Sequence, residues 1–323
     1  MTTPFAPAEA FRTRWLPAAG GHRLFVAEYG CPDGVPVLVL HGGPGSGGSP
    51  RLAGLFDPAR CRVIVPDQRG AGRSEPAGAT RANTTADLLA DIERIRAALG
   101  LERWFVTGGS WGATLGILHA AAQPARVAGL LLRSPFLARR ADLDHFFGGA
   151  RHRYPAAWRA WAALGAPEAA GAMLPWLADA FSGRDAAQAA PWVQAWQHWE
   201  CALAGTQTGA AAGRPGEAEI ATLFRRYRLQ LHYFSRDCFL APDAVLYAAE
   251  ALVAARVPLR VVQGLADGVC PPEATRLLAA RLPADACRWV ADVGHDPFAP
   301  AMRAASHAAW SELLALARPY GLP

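Results

Sequence analysis

Apolar residues in this chain gather in short runs that alternate with stretches of helical spacing. His22–Tyr29, Pro36–Leu40 and Arg62–Val65 are each apolar and of strand length. Pro66 ends the third run, and Asp67-Gln68-Arg69-Gly70 forms the loop beyond it. Between Asp87 and Leu99 the apolar positions recur at helical spacing. Trp104–Thr107 is another strand, followed by a small-residue helix over Ala113–Ala122 and a buried strand over Val127–Leu132. The same rhythm returns late in the chain. Val257–Gly264 predicts a strand, Pro272–Leu282 a helix, Cys287–Val290 a last strand and Ala301–Ala317 a last helix. Alternation of this kind predicts an α/β architecture, with a mostly parallel central sheet covered by helices on both faces.

The middle breaks the pattern. From about Ala138 to Val253 no buried strand is evident, and six of the eleven tryptophans lie there: Trp158, Trp161, Trp176, Trp192, Trp196 and Trp199. We read residues 138–253 as an inserted helical cap between two parts of one core, 1–137 and 254–323. Gly205–Gly216, rich in Gly, Thr and Ala, is the expected loop between cap helices.

Bulk properties narrow the function. A chain of 323 residues that is 52% hydrophobic can bury one large core, with or without an insertion. No run of roughly eighteen apolar residues occurs, so no membrane span is expected. Met1–Trp15 contains Glu9 and Arg12 and lacks an apolar signal core, which argues for the cytoplasm. The net charge of +5 comes entirely from arginines, spread along the chain without aromatic interleaving, so no nucleic-acid partner is expected. Arg225, Arg226 and Arg228 read as a partly solvated helix face. Cys31, Cys61, Cys201, Cys238, Cys270 and Cys287 form no C-x-x-C pair and are expected to be free. No metal and no cofactor is expected; the expected partner is a small peptide or small-molecule substrate.

The strongest chemical signal is Gly108-Gly109-Ser110-Trp111-Gly112, which reads G-x-S-x-G between a strand and a helix. A serine on such a sharp turn has its hydroxyl exposed, and flanking glycines let backbones pass closely. The pattern is short enough to arise by chance, so its context carries the weight. A serine hydroxyl needs a base and a group that orients the base. Asp267 follows the strand Val257–Gly264, and His295 follows the strand Cys287–Val290, in the chain order Ser, Asp, His that doubly wound hydrolases use. His41 competes as the base, but its place before a glycine-rich loop suits a structural role better. Asp292 and Asp296 lie too near His295 in sequence to orient it easily. The loop His41-Gly42-Gly43-Pro44-Gly45 stands where oxyanion donors belong, and the backbone N–H groups of Gly43 and Trp111 are the expected pair. A phosphate-binding loop fails on detail: there is no G-K-[ST], and Pro44 removes a donor.

Three segments together, His41–Gly45, Asp67–Ser74 and Gly108–Gly112, resemble the proline iminopeptidases of the α/β-hydrolase fold. The likeness extends to Leu132-Arg133, Trp199-Glu200, His232-Tyr233-Phe234 and Asp267–Pro271, nearly the whole chain. It implies release of N-terminal proline through an acyl-enzyme on Ser110, with the substrate's amine held by cap carboxylates, one of them Glu200. The surrounding tryptophans would then hold the pyrrolidine ring. Arg133 matches a family arginine near the active site. Two positions depart: Gln230 stands where the family has a second amine-binding glutamate, and Phe147 where it has an aromatic hydroxyl. These departures keep open an esterase, thioesterase or amidase acting on a non-peptide substrate. An aspartate-nucleophile epoxide hydrolase or dehalogenase is disfavoured by Ser110, and a binding protein without catalysis by the intact Ser110, Asp267 and His295.

Overall fold

The computed structural model describes residues 9–169, 171–206 and 215–317. Eight strands form one sheet: β1 (Arg12–Ala18), β2 (His22–Gly30), β3 (Val35–Leu40), β4 (Cys61–Pro66), β5 (Trp104–Ser110), β6 (Val127–Pro135), β7 (Leu259–Gly264) and β8 (Cys287–Val290). Their order is β1-β2-β4-β3-β5-β6-β7-β8. The pairs β1–β2 and β2–β4 are antiparallel, and all later pairs are parallel. β1 was not anticipated. It is an edge strand, mostly exposed, with Pro17 inside it, so it carries neither a buried run nor a clean alternation.

The helices are α1 (Pro50–Ala53), α2 (Thr85–Ala98), α3 (Trp111–Ala122), α4 (Arg140–Phe146), α5 (Pro155–Ala162), α6 (Met173–Phe181), α7 (Ala190–Ala204), α8 (Glu217–Phe234), α9 (Ala244–Ala254), α10 (Pro272–Ala279) and α11 (Pro300–Ala317). The two-residue period of a strand divides the core between them. Leu38 and Leu40 of β3 face one side with Ile64, Val106 and Leu115 of α3. Val37 and Val39 face the other with Val63, Phe105 and Trp310 of α11.

Helices α4 to α9 fall between β6 and β7, the region expected to be a helical insertion. The last of them, α9, packs against α3 and α10 and so belongs with the helices that cover the sheet. The rest extend the core of one sheet face outward, with Trp161, Trp196 and Trp199 at most 1% exposed. Trp196 stacks on Tyr227 at 4.5 Å, joining α7 to α8. α8 is tied to the core by Tyr233, whose hydroxyl donates to Asn83 Oδ1 at 2.7 Å. Gly205, at φ 70°, ends α7 in the left-handed conformation that glycine adopts freely. The loop expected over 205–216 falls mostly on 207–214, outside the described residues.

Candidate active site

Ser110 sits where β5 turns into α3, with φ 55° and ψ −124°. A serine holds this unfavourable backbone only when its surroundings impose it. Here they do so through close packing. A methyl group at Gly108 would lie 2.4 Å from the Gly112 carbonyl carbon, and one at Gly112 would lie 2.2 Å from the Leu40 carbonyl oxygen. The flanking glycines of G-x-S-x-G are thus a steric requirement of the turn. Burial excludes water from much of this corner, and the α3 N-terminus directs its first N–H groups, beginning at Trp111, beside the serine.

The loop after β3 packs against the same turn. A methyl at Gly42 would be 3.6 Å from the Ser110 Cβ, so the peptide joining Gly42 to Gly43 lies alongside the serine. His41 holds this loop. The Gln68 backbone N–H donates to His41 Nε2 at 3.0 Å, which leaves the proton on Nδ1 to donate to the Gly42 carbonyl at 2.9 Å. Burial keeps the ring below its usual pKa and neutral. The Gln68 side chain then donates to the His41 carbonyl at 2.9 Å and accepts from the Trp111 indole at 3.1 Å. His41 and Gln68 therefore brace the Gly43 loop against Trp111, and His41 is not available as a base.

Asp267 and His295 meet on the loops after β7 and β8. The His295 Nδ1–H donates to Asp267 Oδ2 at 2.7 Å. Asp267 is fully buried, and its Oδ1 accepts the backbone N–H groups of Val269 and Cys270, both at 2.9 Å. A carboxylate held at both oxygens fixes the tautomer of its histidine and leaves Nε2 as an acceptor. Burial, the largest influence on His295, lowers its pKa. The Asp267 charge and hydrogen bond, then Glu200 and Asp296, more than offset this, and the net value is raised.

Ser110, His295 and the Gly42–Gly43 loop line one cavity of about 360 Å³. The Ser110 hydroxyl lies 3.6 Å from the Cys270 thiol. The cap supplies the opposite wall through Glu200, Arg226, Gln230, Asp142 and the aromatic rings of Phe146 and Phe234. It also reaches the loops of Asp267 and His295 by backbone: the Gly268 N–H donates to the Leu203 carbonyl at 3.1 Å, and the His295 N–H to the Ala204 carbonyl at 3.2 Å.

Several expectations need correction. Phe147 does not line the cavity; it is buried among Phe146, Trp196 and Phe234, and its neighbour Phe146 takes the wall position. The tryptophans pack the cap interior instead of the cavity, and Trp199 spends its indole N–H on the Phe146 carbonyl. The cavity's aromatic residues are Phe136, Phe146 and Phe234. Arg225 and Arg228 are exposed, but Arg226 turns inward and pairs with Glu200 at 2.9 Å. The missed signal was spacing: Arg226 and Gln230 stand four residues apart on one helix face. Arg133 does line the cavity. It is buried, donates to the Thr107 hydroxyl at 3.2 Å, and burial lowers its pKa to about 10.

A mostly parallel sheet with a serine at the strand-to-helix turn, and an acid and a histidine on the loops after later strands, defines an α/β-hydrolase, and residues 35–300 match the alpha/beta hydrolase fold family. The chain is 35% identical to the proline iminopeptidase of Xylella fastidiosa (strain 9a5c) over 305 residues, covering 93% of this chain and 96% of that one. It is 34% identical to the proline iminopeptidase of Arabidopsis thaliana over 307 residues, covering 94% and 80%. The chain belongs to the proline iminopeptidase family. Its fold also matches the crystal structure of the Mycobacterium smegmatis proline iminopeptidase, with a TM-score of 0.64 at 18% identity over 96% of this chain and 100% of that one. The esterase RhEst1 of Rhodococcus sp. ECU1013 matches with a TM-score of 0.62 at 20% identity over 94% and 99%.

Proposed function

We propose that this protein is a serine aminopeptidase that releases N-terminal proline from peptides. The observation that carries this is His295, held at 2.7 Å by the buried Asp267 and lining one cavity with a serine on a strained turn and a cap carboxylate, Glu200. Ser110 Oγ attacks the carbonyl carbon of the N-terminal proline while His295 Nε2 takes the hydroxyl proton. The developing oxyanion is met by the N–H groups of Trp111 and Gly43. His295 returns the proton to the departing amine, leaving a prolyl ester on Ser110. Water, deprotonated by the same Nε2, then releases proline and restores the serine.

Glu200 gives the substrate's secondary ammonium an anionic partner, and Gln230 contributes a neutral acceptor in place of a second charge. Phe136, Phe146 and Phe234 supply apolar surface for the pyrrolidine ring. The non-peptide alternative is not favoured, because the relatives quoted above are named proline iminopeptidases. The six free cysteines suit a reducing compartment, and we place the enzyme's action in the cytoplasm.

The test is a side-by-side assay of proline arylamide, its N-acetylated counterpart and short acyl esters. The reading expects the free-amine arylamide to have the highest kcat/KM. Preference for esters without an amine would overturn it.

A further inference from the structure

The carboxylate expected to receive the substrate's amine is already engaged. Arg226 Nη2 lies 3.0 Å from Glu200 Oε1 and 2.9 Å from Oε2, so one guanidinium nitrogen bridges both oxygens. The Tyr227 hydroxyl adds a hydrogen bond to Oε2 at 3.2 Å, and Gln230 Nε2 one to Oε1 at 3.3 Å. Each oxygen therefore faces two donors before any substrate arrives. The Glu200 and Arg226 side chains are 19% and 29% exposed and both line the cavity, so the pair is open to exchange. A second, independent sign lies beside it: among the described residues the buried Gln230 Oε1 has no hydrogen-bond partner, an acceptor open to an incoming N–H.

We propose that Arg226 is a specificity-determining residue, an internal cation in the amine seat that a substrate's N-terminal ammonium must displace. This rests on the aminopeptidase reading above. Buried Glu28 holds two arginines by giving one oxygen to each, but on Glu200 a single Arg226 nitrogen covers both oxygens, and Tyr227 and Gln230 take a further position on each, so an ammonium reaches the carboxylate where Arg226 Nη2 now sits. The ammonium takes the place of Arg226 Nη2 on Glu200, with its second N–H directed to Gln230 Oε1. The guanidinium swings toward the open side of the cavity. An acyl group without an amine leaves the Glu200–Arg226 pair in place and bears no such cost. Arg226 thus weakens amine binding and narrows the gap between free and N-acylated substrates.

The test compares wild type with Arg226→Met, Arg226→Gln and Arg226→Lys. Arg226→Met is expected to lower KM for proline arylamide by about tenfold, with the change in KM rather than kcat. Arg226→Gln, which keeps a donor but not the charge, is expected to fall between, and Arg226→Lys to stay near wild type. The ratio of kcat/KM for proline arylamide over its N-acetyl counterpart rises in the same order. An unchanged or higher KM in both the Met and Gln variants, with normal melting, overturns the proposal and leaves Arg226 as a support for Glu200. Should the Met variant fail to fold, the Gln and Lys variants decide by the same criterion. A parallel measurement does not depend on turnover: protection of Ser110 from a fluorophosphonate by prolinamide. Tighter protection in Arg226→Gln supports displacement even if wild type cleaves no proline arylamide, a result that would overturn the aminopeptidase reading alone. Equal or weaker protection counts against displacement.

Discussion

The two walls of the cavity are built on different principles. The sheet wall, with Ser110, His41–Gly43 and His295 backed by the buried Asp267, is set by backbone packing at the ends of strands. The cap wall, with Glu200, Arg226 and Gln230, is set by side chains that pair with one another across two helices. Moving a backbone atom on the first wall disturbs the fold itself, whereas an exchange of one side chain on the second redraws the charge of the cavity. Chemistry on this scaffold is therefore rigid and substrate preference adjustable.

The contrast breaks most sharply at Ser110. Ser110→Ala is expected to lower kcat for proline arylamide by about 10⁶-fold with the melting temperature unchanged, and residual activity near wild type would remove the serine from the mechanism. Asp267→Asn comes next. It places a donor against His295 Nδ1, imposes the wrong tautomer, and is expected to reduce kcat by about 10⁴-fold. Gly112→Ala tests the backbone claim directly. Its methyl would meet the Leu40 carbonyl oxygen at 2.2 Å, and a loss of about 3 kcal/mol in unfolding free energy is expected from denaturant titration. A variant as stable as wild type would show that the turn can open at little cost.

The smallest effect links the two walls. His295 must be neutral to act as base, and its pKa is raised, so the acid limb of kcat/KM should have its midpoint above the ordinary 6.5. Glu200 is one of the charges that raise it. Glu200→Gln should therefore move that midpoint to lower pH, measured with an ester that needs no amine. A midpoint that stays in place would mean the two walls are electrostatically independent.

The same division explains what the sequence disclosed. Gly108 and Gly112 are legible because only glycine fits where two backbones nearly touch. Asp267 and His295 are legible because each closes a recognisable strand. The strand β1 is not, since an exposed edge with an internal proline leaves no hydrophobic signature. On the cap, a residue's heading depends on how α7 and α8 rotate against each other. Arg226 turns inward for that reason, toward Glu200 on α7, whereas Phe147, just past the end of α4, is turned from the cavity by its packing on Trp196.

The final turn of α7 adds a constraint on engineering. Its Leu203 and Ala204 carbonyls receive the amides of Gly268, which follows Asp267, and of His295. Both acceptors are main-chain oxygens, so truncating the side chains at 203 and 204 removes neither of them. A transplanted cap would have to reproduce that last turn in register, atom for atom along the main chain, before the acid and base on the recipient scaffold were held as they are here.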